Sequence, residues 1–259
     1  MSVPHYRETL GSLLYPGFVH SLSTLKPTIE LTERVLHLKI PQRHGVVWRV
    51  DGGFGSDDAI NWVLARDYQL VAKGYNSRRA QKVVRQVPSD TWQSVREHKW
   101  VAVVPEGLRY ARRTQTLAIR WITEKGQERC ALLIHTLLNE SPRQVVSYYD
   151  ARGSMESEIK QDKLGLHLVR RHKQRWEAQE AWIILTDTAH NLLTWTREWM
   201  WGGSRFETWG HLRLVHDGLN IPGDLAFKGT KLEKVALQRD HPFATEMQDC
   251  LARLFRELS

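Results

Sequence analysis

One short run constrains this chain more than any other stretch: Val46-Val47-Trp48-Arg49-Val50-Asp51, rich in β-formers and ending on an acid. Gly52-Gly53 follows at once, and Ser56 is placed to cap a helix whose first turn holds Asp57 and Asp58, where negative charge suits the helix dipole. Ile60, Val63 and Leu64 recur at helical intervals, and Gln69–Lys73 reads as a second strand. A strand–helix–strand unit with an acid at the end of its first strand is a common way for α/β sheets to present chemistry.

The flanking sequence reads around that unit. Leu10 to Tyr15 is strand-like and is stopped by Pro16-Gly17, and a helix is predicted from about Leu22 to Leu38, closed by Pro41. From about Val83 to Asn139 short β-prone runs dominate: Trp100 to Val104, Thr116 to Thr123 and Arg129 to Leu137. The last two meet across Glu124-Lys125-Gly126-Gln127 as a predicted hairpin. Ser141-Pro142 then opens a helix with a cap followed by proline at the first helical position. Beyond Trp209, Leu212–His216 and Lys234–Leu237 are predicted strands, and Thr245–Leu258 a closing helix. The expected division is an α/β core segment over 1–84, a β-rich insertion over 85–140, core helices over 141–201 and a C-terminal region over 202–259.

Composition narrows the partners. Lys and Arg number 37 against 29 acids, and the net charge of +8 suits a polyanion, because neutralising phosphates releases condensed counterions. Cys130 and Cys250 have neither zinc-ligand spacing nor a disulfide framework, which points to a reducing cytoplasm. Met1 to Leu10 has no basic region followed by an apolar run, and no apolar stretch reaches the roughly 18 to 20 residues of a membrane helix. A soluble protein without a membrane partner is expected.

The helix opened at Ser141 carries Tyr149, Arg152, Glu156 and Lys163. On one continuous helix, at about 100° per residue, all four fall within a stripe of ~60°. Charged residues at such intervals ordinarily form a solvated face. The spacing is more particular than that: it resembles the Tyr-x2-Arg-x3-Glu-x6-Lys signature of bacterial insertion-sequence transposases of the family-four group. Arg49 to Gly55 is similar to the strand end that carries that family's second catalytic acid, and Gln179 to Asn191 is similar to the helix after its glutamate.

The resemblance implies an RNase H-like fold, with the β-rich stretch inserted before the glutamate helix, in which carboxylates hold two Mg2+ or Mn2+ ions. Hard cations prefer oxygen ligands, and a metal pair can activate an attacking hydroxyl and stabilise the leaving oxygen. Asp51 would be the second acid and Glu156 the third, both metal ligands, while Tyr149, Arg152 and Lys163 would contact DNA near the cleavage point. Transposon-end and target DNA would be the partners, with a second copy of the chain possible by the same resemblance. Basic groups at Lys73, Arg78, Arg79, Lys82 and Arg85, at Arg109, Arg112 and Arg113, and at Lys160, Arg170, Arg171, Lys173 and Arg175 would track the backbone.

Other polar residues read more plainly. Asp57 and Asp58 suit a helix start, Glu158 lies about 200° around the helix from Glu156, and Asp187 fits a structural place in a helix. Trp195, Trp199 and Trp201 suggest a core or an interface. Against the family pattern, the only acids before Asp51 are Glu8, Glu30 and Glu33, and none lies on a convincing strand end. The expectation is therefore a core incomplete at its N-terminus, lacking the first catalytic Asp, with an exposed sheet edge where strands are missing. Such a chain alone would not cleave DNA, and the alternative is a non-catalytic, DNA-binding remnant.

Overall fold

The computed structural model describes residues 2–3, 7–19, 21–151, 153–168 and 174–257. The chain divides into two compact units: Tyr15–Gly153, and Met1–Leu14 together with Ser154–Ser259. Strands β1 (Ser2–Val3) and β2 (Glu8–Thr9) form an antiparallel pair belonging to the second of these. Leu10–Tyr15, expected as a strand, has no regular structure.

The unit from Tyr15 to Gly153 begins with α1 (Ser21–Val35). This helix stops before Pro41 because His37 takes a left-handed φ of 50°. The His37 N–H then donates to the Arg34 carbonyl (3.3 Å) and the Leu38 N–H to that of Glu33 (2.9 Å), a Schellman closure that satisfies the last carbonyls. Next come β3 (Val47–Val50), α2 (Asp57–Ala65), β4 (Gln69–Lys73) and α3 (Ser77–Gln86). Then follow β5 (Gln93–Arg96), β6 (Lys99–Val103), β7 (Gln115–Ile122), β8 (Glu128–His135) and α4 (Pro142–Asp150).

Six strands make one mixed sheet in the order β3-β4-β8-β7-β6-β5. The β3–β4 pair is parallel, as a helical crossover through α2 requires, and the remaining pairs are antiparallel. The β7–β8 hairpin falls where its turn residues predict it. The β-rich stretch thus continues the sheet that β3 and β4 begin.

Alternation along the strands covers both faces of the sheet. Leu70 and Ala72 of β4, with Leu132 and Ile134 of β8, pack against Leu25 and Ile29 of α1, Ile60, Val63 and Leu64 of α2, and Ala80 of α3. Val71 and Leu133, one residue out of phase, pack with Val101, Leu117 and Ile119 against Val145, Val146 and Tyr149 of α4. This is a mixed α/β sheet between helical layers, as in an RNase H-like core. Polar ties secure the layers. Glu33 of α1 accepts from Arg66 Nε (3.1 Å) and the Tyr68 hydroxyl (2.7 Å), and Asp57 accepts from Arg79 (2.7 Å) and Tyr110 (2.9 Å).

The other unit contains α5 (Gly153–Gly165, from Ser154 onward), α6 (Trp176–Trp199), the short α7 (His211–Arg213) running into a π-turn at Leu214–Gly218, the hairpin β9 (Gly223–Lys228) and β10 (Lys231–Leu237), and α8 (Ala244–Glu257). Its core gathers Leu193, Met200, Trp201, Phe206, Trp209, Leu214, Met247 and Cys250. Leu212–His216, predicted as a strand, is helical. Leu214 packs in this core while Leu212 is exposed, a spacing that a short helix satisfies better than an alternating strand. Trp201 is buried as expected, whereas Trp195 and Trp199 stack on each other at 5.9 Å with Trp199 half-exposed. No helix among the described residues is long and apolar enough to cross a membrane.

Candidate functional site

Asp51 stands where the sequence places it, immediately beyond β3 at the carboxyl end of a parallel strand. Its Oδ1 accepts the Gly53 N–H at 3.0 Å, capping the tight turn Gly52–Phe54. That turn is held against the end of β4. The Tyr75 N–H donates to the Gly55 carbonyl (3.0 Å), and a Cβ on Gly55 would fall 1.8 Å from the Lys73 carbonyl oxygen. The glycine permits this approach, which no other residue could make without moving the backbone. Ser56 then caps α2 by accepting the Ala59 N–H at 3.2 Å, as its sequence position predicts.

The four-residue stripe is not realised on a single helix. Ser141 caps α4 in a reciprocal capping box with Gln144, but α4 ends at Asp150 and a new helix, α5, starts at Gly153. Tyr149 is on α4; Glu156 and Lys163 are exposed on α5; Arg152, between the helices, lies outside the described residues. The predicted continuity fails for a local reason: Gly153 is a poor helix former at the junction. Glu156 and Lys163, seven residues apart, still share a face of α5. Tyr149 is only 8% exposed, part of the apolar cluster that holds Val71, Leu117 and Leu133 of the sheet. A surface role for that side chain in contacting DNA is correspondingly narrow.

Among the basic groups, Arg78, Lys82 and Arg85 are exposed along one face of α3, at spacings of four and three residues. Arg79 is instead committed to Asp57, and Arg112 to Asp67 and to the Tyr68 carbonyl. Lys160 and Arg175 are exposed; Arg170, Arg171 and Lys173 lie outside the described residues. The remaining acids keep structural places. Glu8 lies on β2 after all and accepts the Trp195 indole N–H (2.5 Å), and Asp187 accepts the Ser12 hydroxyl (2.9 Å). Burial pushes the Asp187 carboxyl up, and the Ser12 bond only partly opposes it.

Sequence reasoning missed one cluster. Asp162 of α5, His190 of α6 and His211 at the start of α7 converge in the interior of their unit, the two imidazoles 4% exposed and the carboxylate 13%. Asp162 Oδ1 is 2.7 Å from His211 Nδ1, and its Oδ2 is 2.9 Å from His190 Nδ1. The rings of the two histidines meet edge to face at 4.8 Å. Burial raises the Asp162 carboxyl, but the bonds from His190 and His211 outweigh it and hold the pKa below the usual value. Burial likewise depresses His190, and the Asp162 bond and the Arg7 carbonyl carry its pKa above the ordinary histidine range. Close backbone approach builds the cluster: a Cβ on Gly165 would lie 2.6 Å from the Leu212 nitrogen. The three residues are far apart in sequence and have no ligand-motif spacing, so only a pairing of α5 with α7 could have found them.

The model of the transposase DDE domain group 1 family matches residues 6–258. The chain belongs to that family. Among curated proteins, none matches it. The family implies DNA binding and divalent metal use, and the mixed α/β sheet is consistent with an RNase H-like DDE transposase core.

Proposed function

We propose that this DDE transposase chain acts on transposon-end DNA through a carboxylate metal site to which Asp51 and Glu156 contribute, following the family-four insertion-sequence pattern. The observation that carries the reading is Asp51 at the carboxyl end of β3, fixed by its own turn, within a chain matched by the DDE family almost throughout. The donor set fits: carboxylate oxygens are the ligands that hard Mg2+ or Mn2+ prefers. Bound there, such ions would lower the pKa of an attacking water and stabilise the departing 3′ oxygen.

The chain's own residues supply the remainder. Asp51 presents an oxygen from a rigid strand end, and Glu156 presents one from the first turn of α5. Lys163, on the same face of α5 as Glu156, and Arg152 are the phosphate contacts of this reading, and Tyr149 sets α4 on the sheet beside them in sequence. The exposed Arg78, Lys82 and Arg85 give a sequence-independent grip on the backbone.

A second reading is favoured by one observation. The acids before Asp51 are all placed elsewhere: Glu33 is bound by Arg66 and Tyr68, Glu8 by Trp195, and Glu30 is on α1. Two carboxylates hold Mg2+ weakly, so this chain acting alone would bind DNA without cutting it, as an incomplete core. Labelled duplex titrated at two salt concentrations, with and without Mn2+, tests both. Salt-sensitive binding with no cleavage supports the incomplete core. Cleavage abolished by Asp51→Asn and by Glu156→Gln establishes a sufficient active site. Absence of binding at low salt overturns the DNA reading altogether.

A further inference from the structure

The interior cluster of Asp162, His190 and His211 has a chemistry of its own, independent of the DNA reading. His190 Nε2 lies 2.8 Å from the Arg7 carbonyl oxygen, which can only accept, so that nitrogen carries a proton. His190 Nδ1 then faces an ionised carboxylate, which also only accepts. A positive centre has to lie between them: a proton, making His190 an imidazolium, or a metal ion. His211 Nδ1 faces the same carboxylate from its other side at 2.7 Å.

We propose that Asp162, His190 and His211 bind a single divalent transition-metal ion, Zn2+ foremost, which ties α5, α6 and α7 together. One ligand atom from each side chain lies within 4.8 Å of the other two. Ligand atoms around a tetrahedral Zn2+, with bonds of roughly 2.0–2.1 Å, stand about 3.3 Å apart, so small rotations admit the ion. The bond from His190 Nε2–H to the Arg7 carbonyl is the outer-shell contact that orients a metal-binding imidazole and selects its tautomer. Two imidazole nitrogens and one carboxylate are a borderline-soft set, unlike the all-oxygen set of Asp51 and Glu156, and favour Zn2+ over Mg2+.

Access is built into the same unit. A cleft of about 1090 Å3 reaches His211 and is lined by Glu158, Glu198 and Glu207 against Arg7 and Arg197. Its acids outnumber its guanidiniums, which suits an entering cation. Glu158 lies one helical turn before Asp162 on α5, and its negative charge is felt at His190. The cleft leaves room for a water as the fourth ligand.

The test is a titration of the chelator-stripped full chain with Co2+ alone, followed by visible absorption. Tetrahedral nitrogen–oxygen coordination gives a band far more intense than that of six-coordinate cobalt on oxygens alone. The expected result is one equivalent of intense band, displaced by Zn2+, retained in the Asp51→Asn/Glu156→Gln double variant and abolished in His211→Gln and Asp162→Asn. Zinc-edge X-ray absorption on the wild-type chain reads the same site without any variant, and two imidazoles in the shell are expected. A folded wild-type chain that shows no intense band, a band that survives both variants, or a shell of oxygens alone overturns the proposal.

Discussion

Gly55 shows how much a single missing side chain can decide. An added Cβ would sit 1.8 Å from the Lys73 carbonyl oxygen, and backbone on both sides leaves nothing flexible to yield. Gly55→Ala should cost about 1–3 kcal/mol or more, read as a lower denaturation midpoint in urea, and should displace the Asp51 turn. His135 makes a different point. It is fully buried at the end of β8, and burial pushes its pKa down to about 4. In the unfolded chain the same imidazole titrates near its ordinary value of about 6.5, so the unfolded state takes up the proton first as pH falls. Its neutral form therefore contributes full stability above about pH 6.5, and that contribution drains away down to about pH 4, by roughly 3 kcal/mol at most. Urea midpoints measured across that window should fall with acidification, and His135→Leu should flatten this part of the slope. An unchanged slope in the variant would assign the acid sensitivity to other groups.

At the scale of elements, α4 is the piece whose start was written most plainly in sequence and whose end was not. The Ser141 hydroxyl accepts the Gln144 N–H, while the Gln144 side chain returns to the Ser141 N–H at 2.9 Å. Ser141→Ala removes that reciprocal cap and should lower stability by about 1 kcal/mol, measured by chemical denaturation. The capping pattern Ser-Pro-x-Gln is local, hence legible. The break between Asp150 and Gly153 lies at a glycine outside that capping pattern, and a helical-wheel argument carried through it fails. Strands β3 and β4 were legible because both are short, carry apolar residues (Val47, Trp48 and Val50; Leu70, Val71 and Ala72) and are bounded by turn residues, so local preference and final packing agree.

For the whole molecule, the excess of positive charge matters where it is free to meet phosphate. Asp57 and Asp67 neutralise Arg79 and Arg112, whereas Arg78, Lys82 and Arg85 stand exposed on α3. Replacing these three by alanine should weaken duplex binding similarly for all sequences. It should also flatten the dependence of log affinity on log salt by about one for each phosphate that the variant no longer neutralises. Filter binding or fluorescence anisotropy at several salt concentrations measures both. An unchanged salt slope would place the DNA surface on another face.

From neighbouring residues alone came the strand–helix–strand unit around Asp51, the β7–β8 hairpin, the caps at Ser56 and Ser141, and a transposase resemblance that the match over residues 6–258 supports at the level of the DDE family. Those features rest on hydrogen bonds and apolar periodicities spanning a few residues, so neighbouring letters carry them. Tertiary structure alone decided the burial of the Tyr149 ring, the helical course of Leu212–His216 and the meeting of Asp162 with His190 and His211. Each of these is set by which distant surfaces close on one another, and the close passage of Gly165 against the Leu212 backbone is written in neither segment separately.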